Sequence, residues 1–365
     1  MPQKKIAIVH DFLVRYGGAE ALVKAWAEEF PDADIFTLFY DEKKMGKFFP
    51  KERVSTSYLQ FWYSLTKRYT WMFPFMPRAI ESFNLSNYDI VLSSSAAFSH
   101  GALTSYEQKH VSYIHSPVRW CWDSHFSFMK ERNMGFFQRW FFQKWTSSIR
   151  VWDTFTADRP DVLLAASTEI QKRIQKYWRK ESEIVFPFVD LDRFKIAEKS
   201  TSSDEYFLIV SQLVPYKRIN IAIEACNKLG LPLKIVGEGI ERKKLEKIAG
   251  NTVEFIGSKY DDELVEIMKN AKAFLFPGID DFGMTVIESM ACGVPVIAYK
   301  KAGVLDTVKE GVSGLFFEEQ SVESLVSVLQ YFDISQFNKE KTRDHAKQFS
   351  KEKHLNSIRK SITSN

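Results

Sequence analysis

Cysteine is scarce in this 365-residue chain: Cys121, Cys226 and Cys292 are odd in number, far apart and form no CxxC pair. A disulfide framework is therefore not expected, and a reducing, cytoplasmic setting is. Long hydrophobic runs are missing too, since nothing approaches the roughly 18 apolar residues of a membrane span. The opening Met1-Pro-Gln-Lys-Lys leads into Ile6–Val9, too short an apolar run for a signal peptide and without a cleavage site, so it reads as a first strand interrupted by His10 and Asp11. Charge of one sign is not in excess either. A formal net charge of +4 is too mild to argue for nucleic acid as a partner. The seven histidines form no H-x3-H pair, and no Walker loop, serine nucleophile elbow or helix-turn-helix stands out.

What is present is globular. The chain is 45% hydrophobic and 26% charged, and its length fits two domains better than one core. Residues 1–190 carry 25 Lys+Arg against 21 Asp+Glu, whereas residues 191–365 carry 25 of each; all nine Trp, from Trp26 to Trp178, lie in the first half. Short apolar runs at Ile6–Val9, Ile35–Leu38, Asp89–Leu92, Val111–Ile114, Val162–Ala165 and Ile184–Phe186 predict buried parallel strands. A second series follows at Phe207–Val210, Leu233–Val236, Val253–Ile256, Ala273–Phe276 and Val294–Ala298. Helical periods lie between them, at Ala19–Phe30, Glu169–Trp178, Asn220–Leu229 and Asp262–Lys269. This alternation predicts an α/β protein of two Rossmann-like parallel-sheet domains facing a crevice. The expected division is 1–190, 191–345, and a C-terminal helix over 346–365 that packs back across the junction. The polar run Glu198–Glu205 is the expected linker.

The most informative stretch is Phe276-Pro-Gly-Ile-Asp-Asp-Phe-Gly-Met-Thr-Val-Ile-Glu-Ser-Met-Ala-Cys-Gly293. A strand ends at Phe276, a loop carries Gly278 and Gly283, and a helix is expected from about Met284 to Cys292. Backbone N–H groups at that helix start, over Phe282, Gly283, Met284 and Thr285, can hold an anion or sugar hydroxyls. Glu288, one turn in, suits bidentate hydrogen bonding to vicinal ribose hydroxyls. A solvated helix carboxylate is the plainer alternative. A second stretch, Val210-Ser-Gln-Leu-Val-Pro-Tyr-Lys-Arg-Ile219, supplies two cations after a strand, and Val236-Gly-Glu-Gly239 supplies a tight turn at Gly237.

These residues resemble the retaining glycosyltransferases of the GT-B fold with an E-x7-E motif, glycosyltransferase family 4, and within it the mannosyltransferases of bacterial surface-polysaccharide assembly. Asp280-x7-Glu288 occupies the motif, with Asp in place of the first Glu. The resemblance implies that Asp280 approaches the transferred sugar, Glu288 the donor ribose, and Lys217 with Arg218 the donor diphosphate. Gln212 stands where relatives carry Arg. A nucleoside diphosphate leaves with growing negative charge, so fixed cations and helix-start amides stabilise the transition state.

In the first half, Tyr16-Gly-Gly-Ala-Glu20 opens a helix after the first strand, and the resemblance places Gly17 and Gly18 at the reaction centre. A tight turn alone is the plainer alternative. It lacks the third glycine of a dinucleotide fingerprint, which disfavours a dehydrogenase. Ser112-Tyr-Ile-His-Ser-Pro-Val-Arg-Trp-Cys-Trp-Asp123 resembles the family's Tyr-x-His-Thr-Pro-x-Arg segment, which implies a sugar contact for His115 and a phosphate or acceptor contact for Arg119. Ser57–Arg78 and Phe136–Trp152 mix aromatics with Lys and Arg. They suit a membrane interface presenting a lipid-linked acceptor, or equally a helix pair buried on the core.

The expectation is a metal-independent hexosyltransferase, peripheral on the inner face of the cell membrane. It takes sugar from a nucleotide-sugar donor, GDP-mannose by resemblance, to a glycan or lipid-linked acceptor and needs no cofactor. The rival is a binding protein that keeps the fold but has lost transfer, motivated by Gln212 and Asp280.

Overall fold

The structure is a computed structural model that describes residues 4–132, 134–197 and 205–364; most of the expected linker, residues 198–204, lies outside them. The chain forms two units, Met1–Phe186 with His354–Asn365, and Pro187–Lys353. The division thus falls at Phe186/Pro187, not after residue 190. Segment 187–194 is held in the second unit by a bridge from Val189 to Ser350 and by Arg343, whose Nη2 donates to the Leu191 carbonyl at 2.7 Å.

The first unit is built on β1 (Ile6–Leu13), β2 (Asp34–Tyr40), β3 (Val54–Thr56), β4 (Ile90–Ser95), β5 (Lys109–Ile114), β6 (Val162–Ala165) and β7 (Glu183–Ile184). They form one sheet in the order β3-β2-β1-β4-β5-β6-β7, with parallel pairing throughout. β1 does not stop at Val9. It runs through His10 and Asp11 because both side chains find buried partners: His10 meets Ser94, and Asp11 accepts the main-chain N–H groups of Ala96, Ala97, Phe98 and Ser99 at 2.6–2.8 Å. A charged group can be buried at a strand end when its acceptor capacity is filled in this way. The same bonds fix the loop after β4.

The second unit holds β8 (Phe207–Val210), β9 (Leu233–Val236), β10 (Val253–Gly257), β11 (Ala273–Phe276), β12 (Val296–Tyr299) and β13 (Gly314–Phe317), in the order β10-β9-β8-β11-β12-β13. Its core packs Ile209, Ile223, Ile235, Leu275 and Ile297 between sheet and helices. In both sheets the winding direction reverses beside the first strand, at β1/β4 and at β8/β11. Open α/β sheets bind ligands at the carboxyl ends of strands at such a reversal. Each unit therefore offers one place where a site is expected.

The C-terminal segment carries two helices, Lys339–Ala346 and Lys351–Thr363, so the expected helix starts at 351 and not at 346. The second buries His354, Leu355, Ile358 and Ile362 along one stripe. His354 Nε2 accepts from Trp26 Nε1 at 3.0 Å, which leaves the hydrogen on Nδ1 to be donated to the Phe186 carbonyl at 2.8 Å. These bonds join His354–Asn365 to the first unit.

Candidate functional site

In the second unit, the carboxyl ends of β8 and β11 bring together residues 63 apart in sequence: Lys217 Nζ makes an ion pair with the Asp280 carboxylate. Lys217 closes a 3₁₀ turn, Pro215–Lys217, and its Nζ lies 5.5 Å from the ring centroids of Tyr216 and Phe276. Gly278 makes this approach possible, because a Cβ there would sit 2.8 Å from the Lys217 Cα. Asp280 is held from behind by Gly303, whose N–H donates to the Asp280 carbonyl at 3.0 Å. A cavity of only about 10 Å³, lined by Ser211, Lys217, Phe276, Pro277 and Gly278, lies beneath this contact.

The helix Met284–Ala291 starts directly after Gly283, which takes a left-handed conformation at φ 90°. Glu288 stands half-buried on that helix. No hydrogen-bond partner for its carboxylate occurs among the described residues, and burial pushes its pKa up to about 7, only partly countered by the charge of Arg193. A carboxylate so placed gains from a ligand that donates two hydroxyls. Gln212 and Arg218 are exposed on the same loop, Arg218 in a left-handed conformation at the start of the helix Ile219–Leu229.

In the first unit, Gly17 precedes the helix Gly18–Glu29, and Glu20 in its first turn faces His10, with Oε1 3.6 Å from Nε2. His115 follows β5 by one residue, and its Nε2 lies 2.8 Å from Ser94 Oγ. Burial, with the neighbouring His10 and His354, lowers the His115 pKa to about 3, so the ring is neutral. Arg119 lies half-buried in the following turn, its carbonyl accepting from Trp122 and Ser124.

The family Glycosyl transferases group 1 matches residues 191–353, and Glycosyltransferase Family 4 matches residues 16–193. Together these matches run from the glycine loop after β1 through the motif helix of the second unit. Each half of the chain thus resembles a glycosyltransferase family model, and the fold is GT-B.

Among relatives, an uncharacterized glycosyltransferase of Methanocaldococcus jannaschii is 25% identical over 215 residues, 56% of this chain and 60% of that protein. A GDP-mannose-dependent alpha-mannosyltransferase of Mycolicibacterium smegmatis is 29% identical over 182 residues, 47% of this chain and 48% of that protein. The matches thus span less than two thirds of these relatives' length. Among solved structures, Anabaena HepE in complex with UDP and glucose superposes with a TM-score of 0.71 at 16% identity over 100% of both chains. Sucrose-phosphate synthase from Thermosynechococcus elongatus superposes with a TM-score of 0.73 at 16% identity over 98% of both. These likenesses establish the fold.

The structure places the expected donor residues unequally. Lys217 and Asp280 meet at the carboxyl ends of β8 and β11, and Gly283, Met284, Thr285 and Glu288 follow on the loop and helix after β11. Phe282 turns its ring inward against Phe349, at 5.5 Å between centroids. Gly237 lies against the Ser211 carbonyl, so it also serves to seat the β9 loop on the β8 loop. Among the described residues no group of three or more His, Cys, Asp or Glu could hold a metal ion, and Asp190 caps its own turn through the N–H groups of Asp192 and Arg193. Sequence reasoning passed over Glu20, His10 and Ser94. The available signal was polar residues sitting at the ends of apolar strands, His10-Asp11 after Ile6–Val9 and Ser93-Ser94-Ser95 after Ile90–Leu92.

The aromatic stretches are buried in part and exposed in part. Tyr63, Met72 and Phe142 are buried, whereas Trp71 is 78% and Phe137 82% exposed. On the helix Phe136–Thr156 only Phe142, Thr146, Ile149, Asp153 and Thr156 face inward. Phe75 and Trp145 approach to 6.4 Å between centroids, which makes the two stretches one surface. No helix among the described residues is long and apolar enough to cross a membrane.

Proposed function

We propose that this chain is a retaining, metal-independent hexosyltransferase that uses a nucleoside-diphosphate sugar, GDP-mannose being the first candidate, and acts on a glycan or lipid-linked acceptor at the inner face of the cell membrane. The observation that carries the reading is the Lys217–Asp280 ion pair at the β8/β11 reversal, with the desolvated Glu288 on the helix that follows. Glu288 would take the ribose hydroxyls and the Met284 helix start a phosphate oxygen. Lys217 has three hydrogens, so it can donate to a phosphate while still paired to Asp280. As the acceptor oxygen bonds to the anomeric carbon, the bond from that carbon to the phosphate oxygen breaks on the same face. The acceptor proton passes to the departing phosphate oxygen, which yields a glycoside of unchanged configuration and a nucleoside diphosphate. The resemblance to a GDP-mannose enzyme supports the sugar, and the exposed aromatic surface flanked by Lys67, Arg139 and Lys144 supports contact with an anionic bilayer.

The test is a panel of nucleotide sugars assayed for transfer with and without EDTA. Transfer from a GDP-hexose that survives chelation and is abolished by Lys217→Ala is the expected result. Tight donor binding without turnover on any acceptor would mark a transfer-deficient binding protein instead. Loss of transfer on chelation, restored by Mg²⁺, would overturn the metal-independent scheme.

A further inference from the structure

Four side chains from separate elements meet at the carboxyl edge of the first sheet: Glu20, His10 in β1, Ser94 in β4, and His115. His10 and Ser94 are register partners in adjacent strands. The His10 Nδ1 lies 3.2 Å from the Ser94 main-chain oxygen and 3.1 Å from Ser94 Oγ. A carbonyl can only accept, so His10 Nδ1 carries a hydrogen. Across the ring, Nε2 faces Glu20 Oε1 at 3.6 Å. The carboxylate there favours a proton on Nε2. Burial works against charge on the ring, but Glu20, Asp11 and the Ser94 carbonyl outweigh it and hold the His10 pKa above the ordinary value.

Ser94 is fully buried and its Oγ accepts from His10, so its own hydrogen must go elsewhere. Its other hydrogen-bond neighbour among the described residues is His115 Nε2, 2.8 Å away. A neutral imidazole that accepts at Nε2 carries its hydrogen at Nδ1. We infer that Glu20, His10 and Ser94 form a polarised chain that locks His115 in the Nδ1–H tautomer, so that it meets the substrate as a hydrogen-bond donor and not as a base. The inference rests on the proposed assignment of His115 to the sugar, and it gives that contact a direction. The substrate atom facing Nδ1 is an acceptor, a hydroxyl or phosphoryl oxygen, and an ammonium-bearing sugar is disfavoured there. His10, Ser94 and Glu20 are positioning residues that act through His115.

The deciding measurement is the long-range proton–nitrogen NMR spectrum of protein labelled with ¹⁵N in the histidine rings, recorded at pH 7 and assigned with His115→Gln. The expected spectrum has His115 protonated at Nδ1 alone and His10 carrying a hydrogen at Nδ1. Ser94→Ala should release His115 into a mixture containing Nε2–H and lower kcat about 10-fold or more at little changed donor KM, and Ser94→Thr should restore both. His115 found as Nε2–H in the unaltered protein, or a tautomer indifferent to Ser94→Ala in a protein that still melts at its usual temperature, would overturn the inference. The spectrum needs no turnover. A failure of the proposed transferase activity with the Nδ1–H form present would therefore fault that reading and not this one.

Discussion

At the scale of single residues, the Lys217–Asp280 pair would, under the proposed function, set how much positive charge a diphosphate meets. Removing the carboxylate charge by Asp280→Asn frees the ammonium, and charge-assisted bonds are about twice as strong as neutral ones. The variant should bind the nucleoside diphosphate product roughly 3- to 10-fold more tightly by calorimetry, about 1 kcal/mol, while transfer slows because the sugar loses its neighbour. Equal affinity would mean that the diphosphate does not reach Lys217. Glu288 offers a second residue-level test. Its folded pKa of about 7 stands above the ordinary 4.5, so the folded state binds the extra proton between those values. Stability is therefore lost as pH rises from about 4.5 through 7. Glu288→Gln removes that penalty. It should raise the unfolding free energy at pH 8 by an amount on the order of 1–3 kcal/mol, leave it unchanged near pH 4, and weaken nucleotide binding. A variant no more stable at pH 8 than the parent would show that the carboxyl is not desolvated.

At the scale of elements, the loops after β8 and β11 are one construction because Gly278 lets their main chains touch. Gly278→Ala sets a methyl 2.8 Å from Lys217 Cα and must push the loops apart. A destabilisation of about 1–3 kcal/mol together with weaker nucleotide binding is expected in melting and titration experiments; an unchanged affinity would show that the loop contact does not position Lys217. The helix Phe136–Thr156 carries the other element-level prediction. Trp71→Ala with Trp140→Ala should reduce sedimentation with anionic liposomes, and salt should reduce it further. Liposome binding that both changes leave untouched would dissociate the exposed rings from any bilayer.

How far the elements were legible follows from what each strand says locally. Runs such as Phe207–Val210 and Ala273–Phe276 are apolar end to end and announce buried parallel strands, and Asp261–Lys269 announces its helix by period. Val54-Ser55-Thr56 and Gly314-Leu-Phe-Phe317 escaped because both are short edge strands, where polar residues and glycine are tolerated. The glycine loop and helix after β11 were legible in the sequence, yet the pairing of Lys217 with Asp280 needs a fold to bring residues 63 apart together. The hydrogen-bond partners of the His10 and Asp11 side chains lie 84 to 88 positions away, beyond any local pattern.

At the scale of the whole molecule, protonation acts differently on the two units. In the first, burial lowers the pKa of His100 and His354 to about 4 and of His110 and His115 to about 3. The unfolded chain binds protons at these positions between 6.5 and the folded values, so stability is lost as pH falls through that window, by about 1.4 kcal/mol per pH unit for each group fully engaged. Asp153, which accepts from Trp122 and Trp178, is raised to about 7 by burial and offsets one of the four. All nine tryptophans belong to this unit, so their fluorescence reports on it alone. The urea midpoint followed by tryptophan emission should drop clearly from pH 7 to pH 5, and a midpoint that stays put would mean that these rings are not buried neutral. The bond from Trp26 to His354 also has a consequence for the making of the protein. A ribosome releases residues 1–186 long before residues 354–365, so the first unit synthesised must wait for the last helix to fill the place beside Trp26. Until then it is an unfinished nascent domain with an indole lacking its partner, and a chaperone that binds exposed aromatic surface would find it there throughout the translation of the second unit.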